Sequence, residues 1–290
     1  MAIAVAVAAI GGCSKETEKS PREFEVFAEV MNPIPGSLDQ SKAMTADMKF
    51  EWTTQDKIDV FASEKGEQMI YSIREFDNSV KSCTFKVVNF NLLDATYYSM
   101  YPTQGAVDDF TAVPVTFDGQ VQEANGTASH LGAYDYNVAS EEIKDNSGCF
   151  SYSHLVTWLV CNLTVPSACT VRSVSFQTPS DKLVSMAKVN VKDGTMTSTD
   201  FTDKIELGLG GAGVTLGAGE VLKVYVTLAP FTVPGKLTVC ATDADGQTYV
   251  ASVSTSMTLQ AGRYYTINKT LANAESSSLT GSTGAALEKK

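Results

Sequence analysis

Cys13 is the side chain whose setting most directly specifies a chemistry. It closes an uncharged apolar run of nine residues, Ala2 to Ile10, through Gly11-Gly12, and opens at once into the charged stretch Ser14-Lys15-Glu16-Thr17-Glu18-Lys19. Such a run is too short for a bilayer-spanning helix, which takes about 20 residues, and suits a secretory h-region of about 7 to 15. No Lys or Arg precedes it. Residues 1–12 therefore read as a lipoprotein signal peptide, and cleavage before Cys13 would free its thiol for diacylation. Each buried CH₂ of an acyl chain contributes about 0.8 kcal/mol, enough for a soluble chain to be held at a membrane surface with residues 13–23 as the tether.

The other residues that could do chemistry do not form a site by spacing. With Cys13 lipidated, Cys83, Cys149, Cys161, Cys169 and Cys240 remain, an odd number, so at least one thiol stays unpaired within the chain. There is no C-x-x-C and there are only two histidines, too few ligands at the wrong spacing for a zinc ribbon, zinc finger or thioredoxin-like motif. Gly208-Leu-Gly210-Gly-Ala-Gly213 satisfies G-x-G-x-x-G, yet Val214-Thr-Leu216 follows where a dinucleotide site needs a helix, and no acid stands near position 233. It reads as a glycine-rich loop. His154 lies among hydroxyls in Cys149-Phe-Ser-Tyr-Ser-His154, but no G-x-S-x-G elbow accompanies it, and a structural histidine entering a core strand is the expectation. Asp243-Ala-Asp245-Gly246 lacks the later Glu of an EF-hand and reads as a turn. Asp108-Asp109 and Glu141-Glu142 are sequence neighbours, which point to opposite faces on a strand, and read as solvated loop charge. The sequence thus implies no enzyme, no metal and no cofactor.

What positions these residues is a succession of short strands. Phe24-Glu-Val-Phe-Ala-Glu-Val30 places Phe24, Val26, Ala28 and Val30 on one face and Glu25 and Glu29 on the other, the period of a half-buried strand. Leu155 to Val165 and Val221 to Leu228 repeat it. Asp193-Gly194 and Asp245-Gly246, each between strand-like segments, predict hairpins with two-residue type I′ turns. No long 3.6-residue stripe occurs, and the 290 residues, 43% hydrophobic, are enough for two cores. The prediction is an all-β chain of two β-sandwich domains, residues 24–148 and 149–271. They are separated at the polar stretch Ala139–Gly148 and followed by a polar tail over 272–290. A net charge of −11 removes the electrostatic attraction on which nucleic-acid binding depends.

Several segments together resemble the fimbrillin family, lipoprotein pilins of type V pili in Gram-negative anaerobes. Trp52-Thr-Thr-Gln-Asp56-Lys-Ile58-Asp-Val60-Phe61 is similar to its Trp, turn and Asp-x-Ile-x-Val-Phe strand. Tyr97-Tyr-Ser-Met-Tyr101-Pro102 is similar to its aromatic strand ending in Tyr-Pro. Phe150 to His154 and Ala261-Gly262-Arg263-Tyr264-Tyr265 are similar to the opening and close of its second domain. The resemblance covers most of residues 24 to 271.

That resemblance implies two tandem transthyretin-like β-sandwiches and a lipoprotein precursor carried to the outer membrane and cell surface. It also implies a trypsin-like protease that cuts after a basic residue and releases the first strand, and other pilin subunits that supply a donor strand in trans to the emptied groove. On this chain the removable strand would be Phe24 to Val30 and the cut would follow Lys42, with Arg22 and Lys49 as alternatives. The tail after Leu271 lacks the alternating apolar residues of a donor strand, which favours a tip or accessory subunit binding a host or bacterial surface ligand. The competing reading is a surface glycan-binding lipoprotein associated with nutrient uptake. It needs an exposed aromatic platform, for which Tyr97, Tyr98, Tyr134 and Tyr136 are the candidates beside Trp52 and Trp158.

Overall fold

The computed structural model describes residues 24–30, 34–36, 52, 56–62, 68–76, 82–87, 94–144 and 147–274. Its first half contributes β1 (Phe24–Val30), β2 (Ile34–Gly36), β3 (Lys57–Ala62), β4 (Gln68–Phe76), β5 (Ser82–Val87), β6 (Ala95–Tyr101), β7 (Val113–Thr116), β8 (Gln120–Gln122), a 3-10 turn η1 (Ser129–Ala133) and β9 (Asn137–Ile143). Its second half contributes β10 (Ser147–His154), β11 (Thr157–Thr164), β12 (Cys169–Gln177), β13 (Leu183–Asn190), β14 (Thr195–Thr202), β15 (Lys204–Leu209), β16 (Val214–Leu216) and β17 (Val221–Leu228). It ends with β18 (Phe231–Thr232), β19 (Gly235–Asp243), β20 (Thr248–Thr255), β21 (Thr258–Leu259), β22 (Arg263–Thr270) and β23 (Ala272–Asn273). The all-β expectation holds.

Seven strands close into a barrel in the order β1-β10-β9-β6-β3-β4-β5. Ile58, Val60, Tyr97, Ile143, Phe150 and Tyr152 fill its buried core, joined by Trp52. The alternation within β3 explains its double role. Ile58 and Val60 belong to the barrel core, while Phe61, on the other face, stacks on Phe110 at 5.3 Å and joins the larger core of the second half. That larger core lies where the sheet β17-β11-β22-β2 and the sheet β23-β20-β19-β12-β15-β8 supply buried residues such as Trp158, Phe176, Leu207, Leu222, Val239 and Ile267. A three-stranded sheet β14-β13-β7 completes it.

The chain crosses between these bodies more often than its composition suggested. The stretch Ala139–Gly148, expected as a polar connector, is largely strand. Val138, Ala139 and Ile143 of β9 are buried, and the glutamates between them are accommodated on a strand rather than a loop. A division at 148/149 falls inside β10, which pairs with β1 and β9 of the barrel. Conversely, β7 and β8, from the first half, pair with β13 and β15 of the second, and β2 lies parallel to β22. Polarity marks solvent-facing positions, and a strand exposed on one face carries as many of these as a loop.

Both Asp-Gly hairpins form, as β13–β14 and β19–β20. Their turns differ from the two-residue expectation. At the second, the Asp243 N–H donates to Gln247 O at 3.0 Å and the Gly246 N–H to Asp243 O at 3.2 Å, a three-residue loop whose last residue, Gly246, has φ +80°. Asp243 Oδ1 accepts the Asp245 and Gln247 N–H groups at 3.0 and 2.8 Å, and this side-chain cap favours the longer turn. The G-x-G-x-x-G segment is strand, turn and strand. Gly213 has φ +85°, and a Cβ there would meet Val171 O at 2.4 Å, so glycine is required by close approach to β12.

Candidate functional site

β1 sits between two unlike partners. It runs antiparallel to β5, with Val26 opposite Phe85 and Ala28 opposite Cys83, and parallel to β10, with Val26 opposite Gly148, Ala28 opposite Phe150 and Val30 opposite Tyr152. Phe150 and Tyr152 are buried, so the even positions of β1 share register with the barrel core and the strand closes the barrel. Phe24, at the end of β1, stands opposite Val87. Removing a strand held by two ladders leaves a row of unpaired N–H and C=O groups on each neighbour, which is a template for another strand. β2 follows three residues later and pairs Ile34, Pro35 and Gly36 with Arg263, Tyr264 and Tyr265 of β22. Cys13 and Lys42 lie outside the described residues.

Three of the segments singled out by resemblance meet at Trp52. The Trp52 ring meets Tyr101 edge-on at 4.9 Å and Tyr152 at 6.0 Å, and the Tyr101 hydroxyl donates to Asp56 Oδ1 at 2.9 Å. Asp59 is fully buried on β3 and accepts from Thr103 Oγ1 at 2.6 Å and the Gln104 N–H at 2.8 Å, fixing the loop that follows the Tyr101-Pro102 peptide. Burial pushes its pKa above 3.8, and those hydrogen bonds only partly offset it. These residues tie the 52–62 segment to β6 and the loop after it. Their arrangement offers no nucleophile paired with a base.

His154, the end of β10, is a core histidine, as expected. Its Nδ1 lies 2.7 Å from Asp135 Oδ1, both side chains are buried, and its ring meets Trp158 edge-on at 4.9 Å. Asn137 Nδ2 donates to Asp135 O at 2.6 Å. Cys161 is fully buried and burial raises its pKa far above the ordinary thiol value. Cys240 and Cys169 are raised for the same reason, so none of the three is an activated nucleophile. Of the aromatic platform weighed above, Trp52, Trp158, Tyr97 and Tyr136 are buried, at 6, 0, 3 and 2% exposure. The Tyr136 hydroxyl is consumed by Thr116 O at 2.7 Å and burial pushes its pKa up to about 12.

One device escaped the sequence reading. The outer edge of β17 is paired with side-chain amides in place of a strand. Gln120 accepts from the Thr227 N–H at 2.8 Å and donates to Thr227 O at 2.7 Å, and Gln122 accepts from the Tyr225 N–H and donates to Lys223 O, both at 2.9 Å. Asn125 repeats this at the Lys223 N–H, 2.7 Å, and Val221 O, 3.0 Å. His130 Nε2 lies 3.0 Å from Tyr225 O. Because the β8 backbone pairs with β15 of the other sheet, β8 ties the two sheets and seals the β17 edge. The alternation of Gln120 and Gln122 around Val121 was the available signal, readable only once β17 was known to lie beside it.

The fimbrillin-like family matches residues 42–284, and the chain belongs to that family. It is thus a pilus or adhesion component of the cell surface, in a family of structural proteins. Among solved structures, a candidate cell adhesion protein from Bacteroides ovatus aligns at TM-score 0.57 and 18% identity over 88% of this chain and 97% of that one. One from Bacteroides uniformis aligns at TM-score 0.54 and 17% identity over 87% and 93%. These two likenesses concern the fold. Among curated proteins, none matches the sequence.

Proposed function

We propose that the chain is a tip or accessory subunit of a type V pilus, exported as a lipoprotein through Cys13 and assembled at the outer membrane by protease-triggered strand exchange. The observation that carries the reading is the place of β1, hydrogen-bonded on both sides and closing the barrel between β5 and β10. A trypsin-like cut after Lys42 falls downstream of both β1 and β2. It detaches one strand from the barrel and a second from the start of β22, so a donor strand from another pilin subunit finds an open slot with main-chain groups on both walls. The surface ligand of such a tip is a host or bacterial molecule. The burial of both tryptophans and of Tyr97 and Tyr136 removes most of the stacking faces that the glycan-binding alternative requires.

The test is the N-terminal residue of the protein from sheared surface fractions and from whole cells, by mass spectrometry. Ala43 at the N-terminus, with loss of that species and of polymer in Lys42→Ala, is the expected outcome. Acylated Cys13 in both fractions would overturn the reading, and normal processing of Lys42→Ala would remove that residue from it.

A further inference from the structure

We propose that the free edge of β14 docks an extended peptide segment of a partner protein, which pairs its main chain with Thr195–Ser198 and places one uncharged apolar side chain in the adjoining cavity. β14 is the outer strand of the sheet β14-β13-β7, and among the described residues its only ladder is with β13. Protected edges carry lysine, proline or a covering element. The β17 edge has its row of amides, whereas Thr195-Met-Thr-Ser-Thr-Asp-Phe-Thr202 holds one charge, no lysine and no proline. Its ends are closed internally, the Thr195 N–H by Asp193 Oδ1 at 2.8 Å and the Phe201 N–H by Asp200 Oδ1 at 3.1 Å. The β13–β14 register is irregular around Ser185 and Thr199, which leaves Thr195–Ser198 as the regular stretch.

A second, independent feature lies under that stretch. Met196 and Ser198, alternate positions on one face of β14, and the turn residue Gly194 line a cavity of about 230 Å³ whose other wall includes Leu155, Ala229 and Pro230, and no lining residue is charged. Small-molecule pockets are larger, roughly 300–1,000 Å³, so this one suits a single side chain. A strand added to β14 turns alternate side chains to the face of Met196 and Ser198 and directs one into the cavity. Main-chain pairing then supplies affinity and the cavity supplies selectivity. The net charge of −11 opposes a second copy of this chain as the occupant and favours a neutral or basic segment. The site is separate from the strand-exchange reading, since β14 takes part in neither ladder of β1.

The experiment titrates the full chain into a fluorescein-labelled Lys-Thr-Thr-Leu-Thr-Thr-Lys peptide, followed by anisotropy, with amide exchange of β14 read in the complex. Saturable binding is expected, with slowed exchange of the edge-facing N–H groups within Met196–Ser198. Binding should weaken about tenfold or more when the peptide leucine is aspartate, and similarly for Ser198→Leu, which fills the cavity. A peptide N-methylated at alternate residues should not bind, a control that needs no protein variant. Absence of saturable binding, equal binding of the leucine and aspartate peptides, or protection elsewhere would overturn the site. A peptide-free dimer that protects β14 would overturn the choice of partner.

Discussion

Burial makes Asp135 and His154 depend on each other. Asp135 has no exposed surface, and its Oδ1 is held by the imidazole at 2.7 Å. Removing one member of a buried pair strands the other, at a cost of about 3–5 kcal/mol. His154→Ala should therefore lower stability by roughly 3 kcal/mol, read as a fall in the urea midpoint, and a loss near zero would contradict the pairing. Asp59 makes a pH-dependent claim. Its folded pKa is raised above the ordinary 3.8 by burial, so between the two values the folded chain binds more protons than the unfolded one. Stability then falls as pH rises through that window. Asp59→Asn retains an acceptor for Thr103 and removes the titration, so its stability should depend less steeply on pH just above 3.8. Parallel stability profiles for the two proteins would rule this out.

Among the elements, β1 and β17 define opposite solutions to the same problem. β17 ends its sheet with every outward main-chain group from Val221 O to Thr227 O met by Gln120, Gln122, Asn125 or His130. That edge is closed to strand addition. On the proposed reading β1 instead fills a position that a donor strand takes over, since its hold on β5 and β10 includes main-chain pairing that another extended segment can reproduce. A recombinant chain starting at Ala43 should accordingly take up a synthetic Phe24–Val30 peptide at one-to-one stoichiometry. A peptide with proline in place of Phe27, which removes a ladder donor, should bind at least tenfold more weakly. Calorimetry distinguishes the two, and equal affinities would show that ladder pairing is not the basis of retention.

At the scale of the whole molecule, the two cores are tied by crossings. β2, β7 and β8 come from the first half and pair in the second, and Phe61 of β3 joins the larger core. Loss of β1 is thus three residues of sequence from β2 and its hold on β22. The charge acts at this scale too. Copies starting at Ala43, with 18 Lys and Arg against 27 Asp and Glu and a net charge of −9, repel one another, and the repulsion falls off over a Debye length of about 10 Å at 0.1 M salt. Any association between such copies should accelerate several-fold between about 0.02 and 0.3 M NaCl, as light scattering would record. Slowing with salt would place attractive charge pairs at the interface.

Local pattern determined the strands. The alternation of Phe24–Val30 and Val221–Leu228, the Asp-Gly turns, the glycines of 208–213 and the structural role of His154 were all legible, because each depends on residues within a few positions of one another. The Trp52, Asp56 and Tyr101 signals were legible as a resemblance and are packed together in the structure. Tertiary structure alone decided that Ala139–Ile143 is strand, that β10 closes the barrel with β1, and that glutamine amides seal β17. Each of these depends on which distant segment lies alongside. Pairing across a hundred residues is chosen by the summed burial and hydrogen bonding of the whole fold, which no local window contains.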